Sequence, residues 1–181
     1  MRVLLLDAYR HDDPDRELAD LTASELRDRG HVVDRLDLYA EGFDSFMSTE
    51  ERRAYHESTN LLCDATIRSA ALVKQVDAIA FCYPTVLETV PAVLKSWLER
   101  VLIPDVAFVF DKAGRIAPGM TNVRRLGALT TSAAATKRRH DLGRRTLLWS
   151  LRLNCRRTCR TTFARFERAD ADQVRAALRR W

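Results

Sequence analysis

A chain of 181 residues, 46% hydrophobic and 30% charged, is long enough for one domain with a single core, so neither disulfides nor a metal is needed to hold it together. Met1 to Leu6 is too short an apolar run for a signal peptide and meets Asp7 at once, and no run approaches the length of a membrane span, so a soluble, cytoplasmic protein is expected. The net charge of +5 gathers in an arginine-rich C-terminal third, including Arg144-Arg145, Arg156-Arg157 and Arg179-Arg180; with no nucleic-acid-binding motif beside it, this reads as a solvated helical face and not as a polynucleotide site.

Arg2 to Asp7 is short and rich in Val and Leu and predicts a first strand, followed by a loop from Ala8 to Pro14 and a helix from about Asp15 to Arg29, which Gly30 ends. His31 to Leu38 alternates as a second strand. Ser48, with Glu51 three residues on, has the pattern of a capping box opening a helix, and Asn60 to Lys74 is amphipathic at helical spacing. The apolar run Val76 to Tyr83, broken only by Asp77, predicts a buried third strand stopped by Pro84. Pro91 opens a helix whose Val93, Leu94, Trp97, Leu98 and Val101 make one apolar face, with Trp97 in the core. Asp105 to Met120 is an excursion with a turn at Asp111 to Arg115, Arg124 to Thr131 a fourth strand, and Thr136 to Leu153 a basic helix with Leu142, Leu147, Leu148, Trp149 and Leu151 as core candidates. Thr158 to Phe166 suits a fifth strand and Asp170 to Arg180 a closing helix, acidic at its start and basic at its end.

Strands alternating with helices predict an α/β three-layer sandwich over residues 1–181, built on a parallel five-stranded sheet. In such sheets ligands bind beyond the carboxyl ends of the strands, which places the loops after the first, third and fourth strands at a site. The four cysteines, Cys63, Cys82, Cys155 and Cys159, lack the spacing of a zinc site and are expected as free thiols. Cys82 is expected as a small core residue. Cys155 and Cys159, four apart, are candidates for one helical face, and a redox or metal pair is the alternative reading.

Tyr83-Pro84-Thr85, Pro91-Ala92, Leu94-Lys95, Trp97, Glu99-Arg100-Val101, Pro104 and Ala107-Phe108 resemble the signature of the flavodoxin-fold NAD(P)H:quinone reductases. Leu36 to Asp44 with Glu51-Arg52 and Tyr55-His56 resembles that family's second strand and the segment after it, and Thr121 to Gly127 with Thr130-Thr131 its fourth strand. The resemblance implies a flavodoxin-like sheet of strand order 2-1-3-4-5, FMN or FAD as cofactor, NAD(P)H as reductant, a quinone or related aromatic acceptor, and a homodimer. It places the cofactor against Arg16, against Pro84, Thr85, Val86, Leu87 and Glu88, and against Thr130, Thr131, Ser132 and Ala133.

The ligand loops depart from that pattern. Where the family cradles the flavin phosphate, this chain has His11-Asp12-Asp13-Pro14-Asp15-Arg16, three carboxylates and a residue without an N–H. Val86-Leu87-Glu88-Thr89 lacks the family's aromatic pair, and Ser132-Ala133-Ala134-Ala135 replaces an aromatic and a glycine. Two readings therefore stand beside each other: a reductase holding its flavin through Thr85, Thr130, Thr131 and backbone donors, and a flavin-free protein acting by acid–base chemistry on a small aromatic or acidic metabolite. For the second, His11, Asp12, Tyr83 and His140 are the catalytic candidates, with Glu88 and the cluster Lys137, Arg138, Arg139 nearby. A third reading is an ancillary regulatory subunit, signalled by an exposed apolar patch beyond the dimer interface.

Overall fold

The computed structural model describes residues 1–133, 141–179 and 181. Five parallel strands form the sheet: β1 (Arg2–Asp7), β2 (Val32–Asp37), β3 (Ala78–Pro84), β6 (Arg125–Thr131) and β7 (Arg160–Phe166), in the order β2-β1-β3-β6-β7. Two further strands, β4 (Phe108–Phe110) and β5 (Ile116–Pro118), pair antiparallel as a hairpin outside the sheet, so the order is the expected 2-1-3-4-5 once they are set aside. The hairpin turn rests on Asp111, whose carboxylate accepts the N–H groups of Ala113 and Arg115.

Side chains alternate across β3 as a twice-covered strand requires. Ile79, Phe81 and Tyr83 enter the core under α3 (Asp64–Gln75) and α4 (Ala92–Val101), whereas Ala78, Ala80 and Cys82 enter the core under α1 (Glu17–Asp28) and α6 (Ala171–Ala177). Trp97 is fully buried and meets Phe81 edge to face. Cys82 is a core residue; burial pushes its thiol up to about 12, so it is inert at neutral pH. Gly30, at φ 77°, ends α1, with His31 N–H returning to the Leu26 carbonyl. At α2 (Thr49–Ala54) Ser48 and Glu51 make the reciprocal bonds of a capping box, as their spacing predicts.

The structure corrects four expectations. The helix expected from Asn60 starts at Asp64, because the Asn60 amide is drawn away to the Pro104 carbonyl. The described part of the basic helix is a single turn, α5 (Leu142–Arg144), then a π-helix over Arg145–Ser150 and a 3-10 turn over Leu151–Asn154. A wider turn shifts every later side chain around the axis, so Leu147, Leu148 and Leu151 are buried while Trp149 is 67% exposed; Leu142, at the first position of α5, is 48% exposed. Cys155 and Cys159 share no helical face: Cys155 ends the 3-10 turn and Cys159 lies just before β7, which begins at Arg160 and not at Thr158.

Candidate functional site

The carboxyl ends of β3, β6 and β7 are in register, with Tyr83 beside Thr130 and Thr131 beside Phe166, so their loops open on one edge. After Pro84 the chain folds at once into a tight turn: Val86 and Thr89 exchange both backbone hydrogen bonds, at 3.0 and 2.9 Å. Leu87 and Glu88 hold φ values of 46° and 64°, the left-handed pair of a type I′ turn, without a glycine at either position. Each costs about 1 kcal/mol, and such strain persists only where the surroundings impose it. Here the Glu88 carbonyl is gripped by the N–H groups of Leu142 and Gly143, at 2.9 and 3.4 Å. Leu87 stands 91% exposed at the tip, with Val86 beside it.

Threonine hydroxyls line the seam between the loops. Thr85 Oγ1 and Thr130 Oγ1 are 2.7 Å apart, and Thr131 Oγ1 meets the Tyr9 hydroxyl at 3.1 Å, with Thr130, Thr131 and Tyr9 all buried. Thr85 N–H donates to the Thr131 carbonyl, and Ser132 N–H to that of Phe166. Ser132 is half-buried and Ala133 exposed at the rim.

The loop after β1 is organised by charge. Asp7 is fully buried and accepts from Arg16 Nε at 3.1 Å, Arg35 at 2.7 Å and Tyr9 N–H at 3.1 Å. Arg16 also donates to Asp37 at 2.5 Å and to His11 Nδ1 at 2.6 Å, so its guanidinium is committed inside the protein. Asp13 caps the 3-10 turn Pro14–Arg16, its carboxylate accepting the Asp15 N–H and its carbonyl the Arg16 N–H. His11 and Asp12 are largely exposed and line a cleft of about 530 Å³ with Arg10, Tyr39 and Asp44; Asp12 pairs with Arg10 at 3.3 Å.

Tyr83 is elsewhere. It is fully buried, its hydroxyl has no hydrogen-bond partner among the described residues, and Gly143 packs so closely that a Cβ there would lie 2.9 Å from the oxygen. Burial, with the Asp141 carboxylate nearby, pushes the phenol well above its ordinary range, so it stays protonated. The structure therefore brings His11 and Asp12 together and gives Tyr83 different neighbours, while His140, with Lys137, Arg138, Arg139, Ala134 and Ala135, lies outside the described residues. Residues that sequence reasoning passed over do more to shape this edge. Asp141, 1% exposed, accepts Arg144 N–H and a guanidinium N–H of Arg165, which also lies 3.7 Å from Glu88. The one sequence signal for these pairs is a charge set in an apolar strand, as at Asp7, Arg35 and Arg165.

A flavin fits one half of this edge. At the ring end the exposed apolar tip Val86 and Leu87 stands beside the small rim residues Ser132 and Ala133. At the phosphate end the residues do not fit: Asp13 takes the Asp15 and Arg16 N–H groups that would receive an anion, Asp7 takes that of Tyr9, and Asp12, Asp13 and Asp15 add repulsion. Among the described residues no group of three His, Cys, Asp or Glu is placed to hold a metal, and no helix is long and apolar enough to cross a membrane.

Comparison with known proteins agrees with the sheet. A curated relative, ribosyldihydronicotinamide dehydrogenase [quinone] of Pongo abelii, is 27% identical over 135 residues, 64% of this chain and 57% of that protein, so the match spans little more than half of the relative's length. Among solved structures, an NAD(P)H:quinone oxidoreductase from Methanothermobacter marburgensis superposes with a TM-score of 0.74 at 21% identity, covering 99% of this chain and 94% of that one. An FMN-dependent NADH-azoreductase from Bacillus anthracis, solved with FMN, gives 0.69 at 12% identity, covering 99% of each chain. The family model described as the flavodoxin-like fold matches residues 1–181, and with the strand order and crevice above it shows that the chain belongs to the flavodoxin-like fold family.

Proposed function

We propose that this protein is a flavin-dependent NAD(P)H oxidoreductase that reduces a quinone or related aromatic acceptor, and that it takes the flavin by its ring and not by its phosphate. The observation that carries this reading is the strained turn at Leu87 and Glu88, held against Leu142 and Gly143 at the edge where the threonine hydroxyls converge. The names of the relatives support the activity, since quinone reduction or FMN dependence recurs in them. A bound flavin supplies the hydride chemistry. The chain's part is to position: the turn 86–89 with Ser132 and Ala133 would hold the ring, and the part-buried pair Thr85–Thr130 and the buried pair Tyr9–Thr131 keep the seam rigid. The working unit on this reading is a homodimer, which exposed Phe46, Trp149 and Leu153 are available to bury.

The test is NAD(P)H oxidation with a quinone acceptor by purified protein, alone and with riboflavin, FMN or FAD. Activity should depend on added flavin, and riboflavin should bind within about tenfold of FMN, a difference of ~1.4 kcal/mol, because no phosphate cradle favours the latter. Asp13→Ser removes a carboxylate from the phosphate end and should tighten FMN about tenfold while leaving riboflavin unchanged. The filled phosphate end favours a second reading, flavin-free acid–base chemistry in the cleft of His11 and Asp12. Failure of all three flavins to bind at ~10 µM (about −7 kcal/mol) would sink the first reading in favour of this one.

A further inference from the structure

Arginine recurs where the strands of the sheet begin, and at two of them it meets a carboxylate. Arg2 opens β1 and rests on Asp34 at 2.6 Å; Arg124, just before β6, rests on Asp77 at 3.8 Å. The last strand is different. β7 pairs with β6 alone, so its outer edge is open, and a cleft of about 730 Å³ runs along its first half. Arg125, Arg152, Arg160, Arg179, Thr161 and Thr162 line it, and among the described residues its lining holds no carboxylate. The arginines come from the start of β6, the 3-10 turn Leu151–Asn154, the start of β7 and the chain just past α6, so the fold gathers them and they are not one solvated helical face. A strand rises about 3.3 Å per residue, which puts Arg160 roughly 20 Å from Phe166 and the ring-end loops.

Like charge is concentrated here without a counter-charge in the lining. Arg125 and Arg160 are register partners, so two cations stand side by side on neighbouring strands, an arrangement that repels. Arg160 and Arg179 are exposed, and neither makes an ion pair among the described residues. Arg152 is held by its Nε–H, which donates to the Cys159 carbonyl at 2.9 Å, while its outer N–H groups have no acceptor among the described residues. A guanidinium fixed by one bond, with the rest of its fork unused, loses little entropy when an oxyanion arrives. Several cations of one sign around a concavity also focus potential inside it, which favours a multiply charged anion over a single one.

We propose that this cleft binds a polyphosphate chain, supplied either as inorganic polyphosphate or as the phosphates of a nucleotide. Its volume is that of a small-ligand site. Cations packed into that space call for a ligand that concentrates several negative charges in a few atoms, and a triphosphate does so. An acidic peptide spreads its carboxylates at about 3.4 Å of strand per residue, and a nucleic acid spreads its phosphates along an extended backbone. Arginine forks take phosphate oxygens in pairs, and the hydroxyls of Thr161 and Thr162 are donors for the oxygens that remain. The outer edge of β7, which no strand pairs, adds backbone N–H groups to the same wall. The site lies at the opposite end of β7 from the ring-end loops, so it stands whether or not a flavin binds there.

The test is isothermal titration calorimetry of the purified protein with inorganic tripolyphosphate, ATP, inorganic phosphate and adenosine, without divalent cations. Tripolyphosphate should bind one to one with a Kd of about 100 µM or tighter at about 0.15 M salt, inorganic phosphate at least roughly tenfold more weakly, and adenosine not at all. ATP matching tripolyphosphate assigns the cleft to the phosphate chain alone; ATP binding roughly tenfold tighter assigns it to a nucleotide. Arg160→Gln and Arg179→Gln, at exposed positions where the fold does not depend on the side chain, should each weaken tripolyphosphate by roughly tenfold. Arg53→Gln removes the same charge from an exposed position on α2, outside this lining, and should leave affinity within about twofold, since a distant exposed charge is screened. No saturable binding of tripolyphosphate below about 1 mM, or a loss in Arg53→Gln as large as in Arg160→Gln, would overturn the proposal, and the titration of the unmutated protein decides the first of these even where a variant fails to fold.

Discussion

Asp7→Ala should cost about 3–5 kcal/mol of folding free energy, read as a drop in the urea midpoint with an unchanged slope. Asp7 is fully buried at the end of β1, and its carboxylate is the shared acceptor of Arg16, Arg35 and the Tyr9 N–H. Removing it leaves two guanidiniums, each about three-quarters buried, facing the space it filled, with Asp37 and Asp20 as their remaining carboxylate partners. Asp7→Asn keeps the shape and an acceptor for Tyr9 N–H and loses the charge, so it should fall between Asp7→Ala and the parent. Salt should change these losses little, because a buried pair is weakly screened. Asp12→Ala is the contrast: the Arg10–Asp12 pair is open to water on both sides, and its loss should stay within about 0.5 kcal/mol. A loss for Asp7→Ala no larger than that of Asp12→Ala would show that the network does not hold the β1 loop.

That network also marks where sequence reading ends. The capping box at Ser48 and Glu51, the alternation through Ile79, Phe81 and Tyr83, and the apolar face around Trp97 are short-range patterns, and each is found where its spacing places it. The strand order needed the family resemblance, since periodicity says nothing about which strands are neighbours. The π-helix at Arg145–Ser150 defeats a 3.6-residue reading, which is why Trp149 was expected inside and stands outside. The carboxylates of the β1 loop were legible as a poor setting for a phosphate. That Arg16 is spent on Asp7 and Asp37 was not, because the pairing depends on β1 and β2 lying side by side. Tyr83, at the edge of a loop in sequence, is sealed under a glycine sixty residues later, a contact that no local pattern records.

The charge pair beside that glycine carries the second large effect. Arg165→Ala should cost about 3 kcal/mol or more, because it leaves the Asp141 carboxylate, 1% exposed, with the Arg144 N–H as its hydrogen-bond donor among the described residues. Asp141→Asn should cost less, since the amide oxygen still accepts Arg144 N–H and Arg165, 13% exposed, keeps Glu88 at 3.7 Å. The loss at Arg165 should reach function as well as stability. The Asp141 cap holds the start of α5, and the N–H groups of Leu142 and Gly143 there are what grip the Glu88 carbonyl. Released, the turn at Leu87 and Glu88 can relax out of its left-handed conformation, and the edge proposed to meet the flavin ring loses its shape. Flavin affinity should therefore fall in Arg165→Ala by roughly tenfold, about 1.4 kcal/mol, at temperatures where the variant is still folded by circular dichroism. Tyr83→Phe is the control: it removes a hydroxyl that has no partner among the described residues from the same pocket, leaves the Glu88 grip intact, and should hold or slightly raise stability with flavin affinity unchanged. Equal flavin affinity in Arg165→Ala and the parent would separate the charge pair from the site and leave it a purely structural contact.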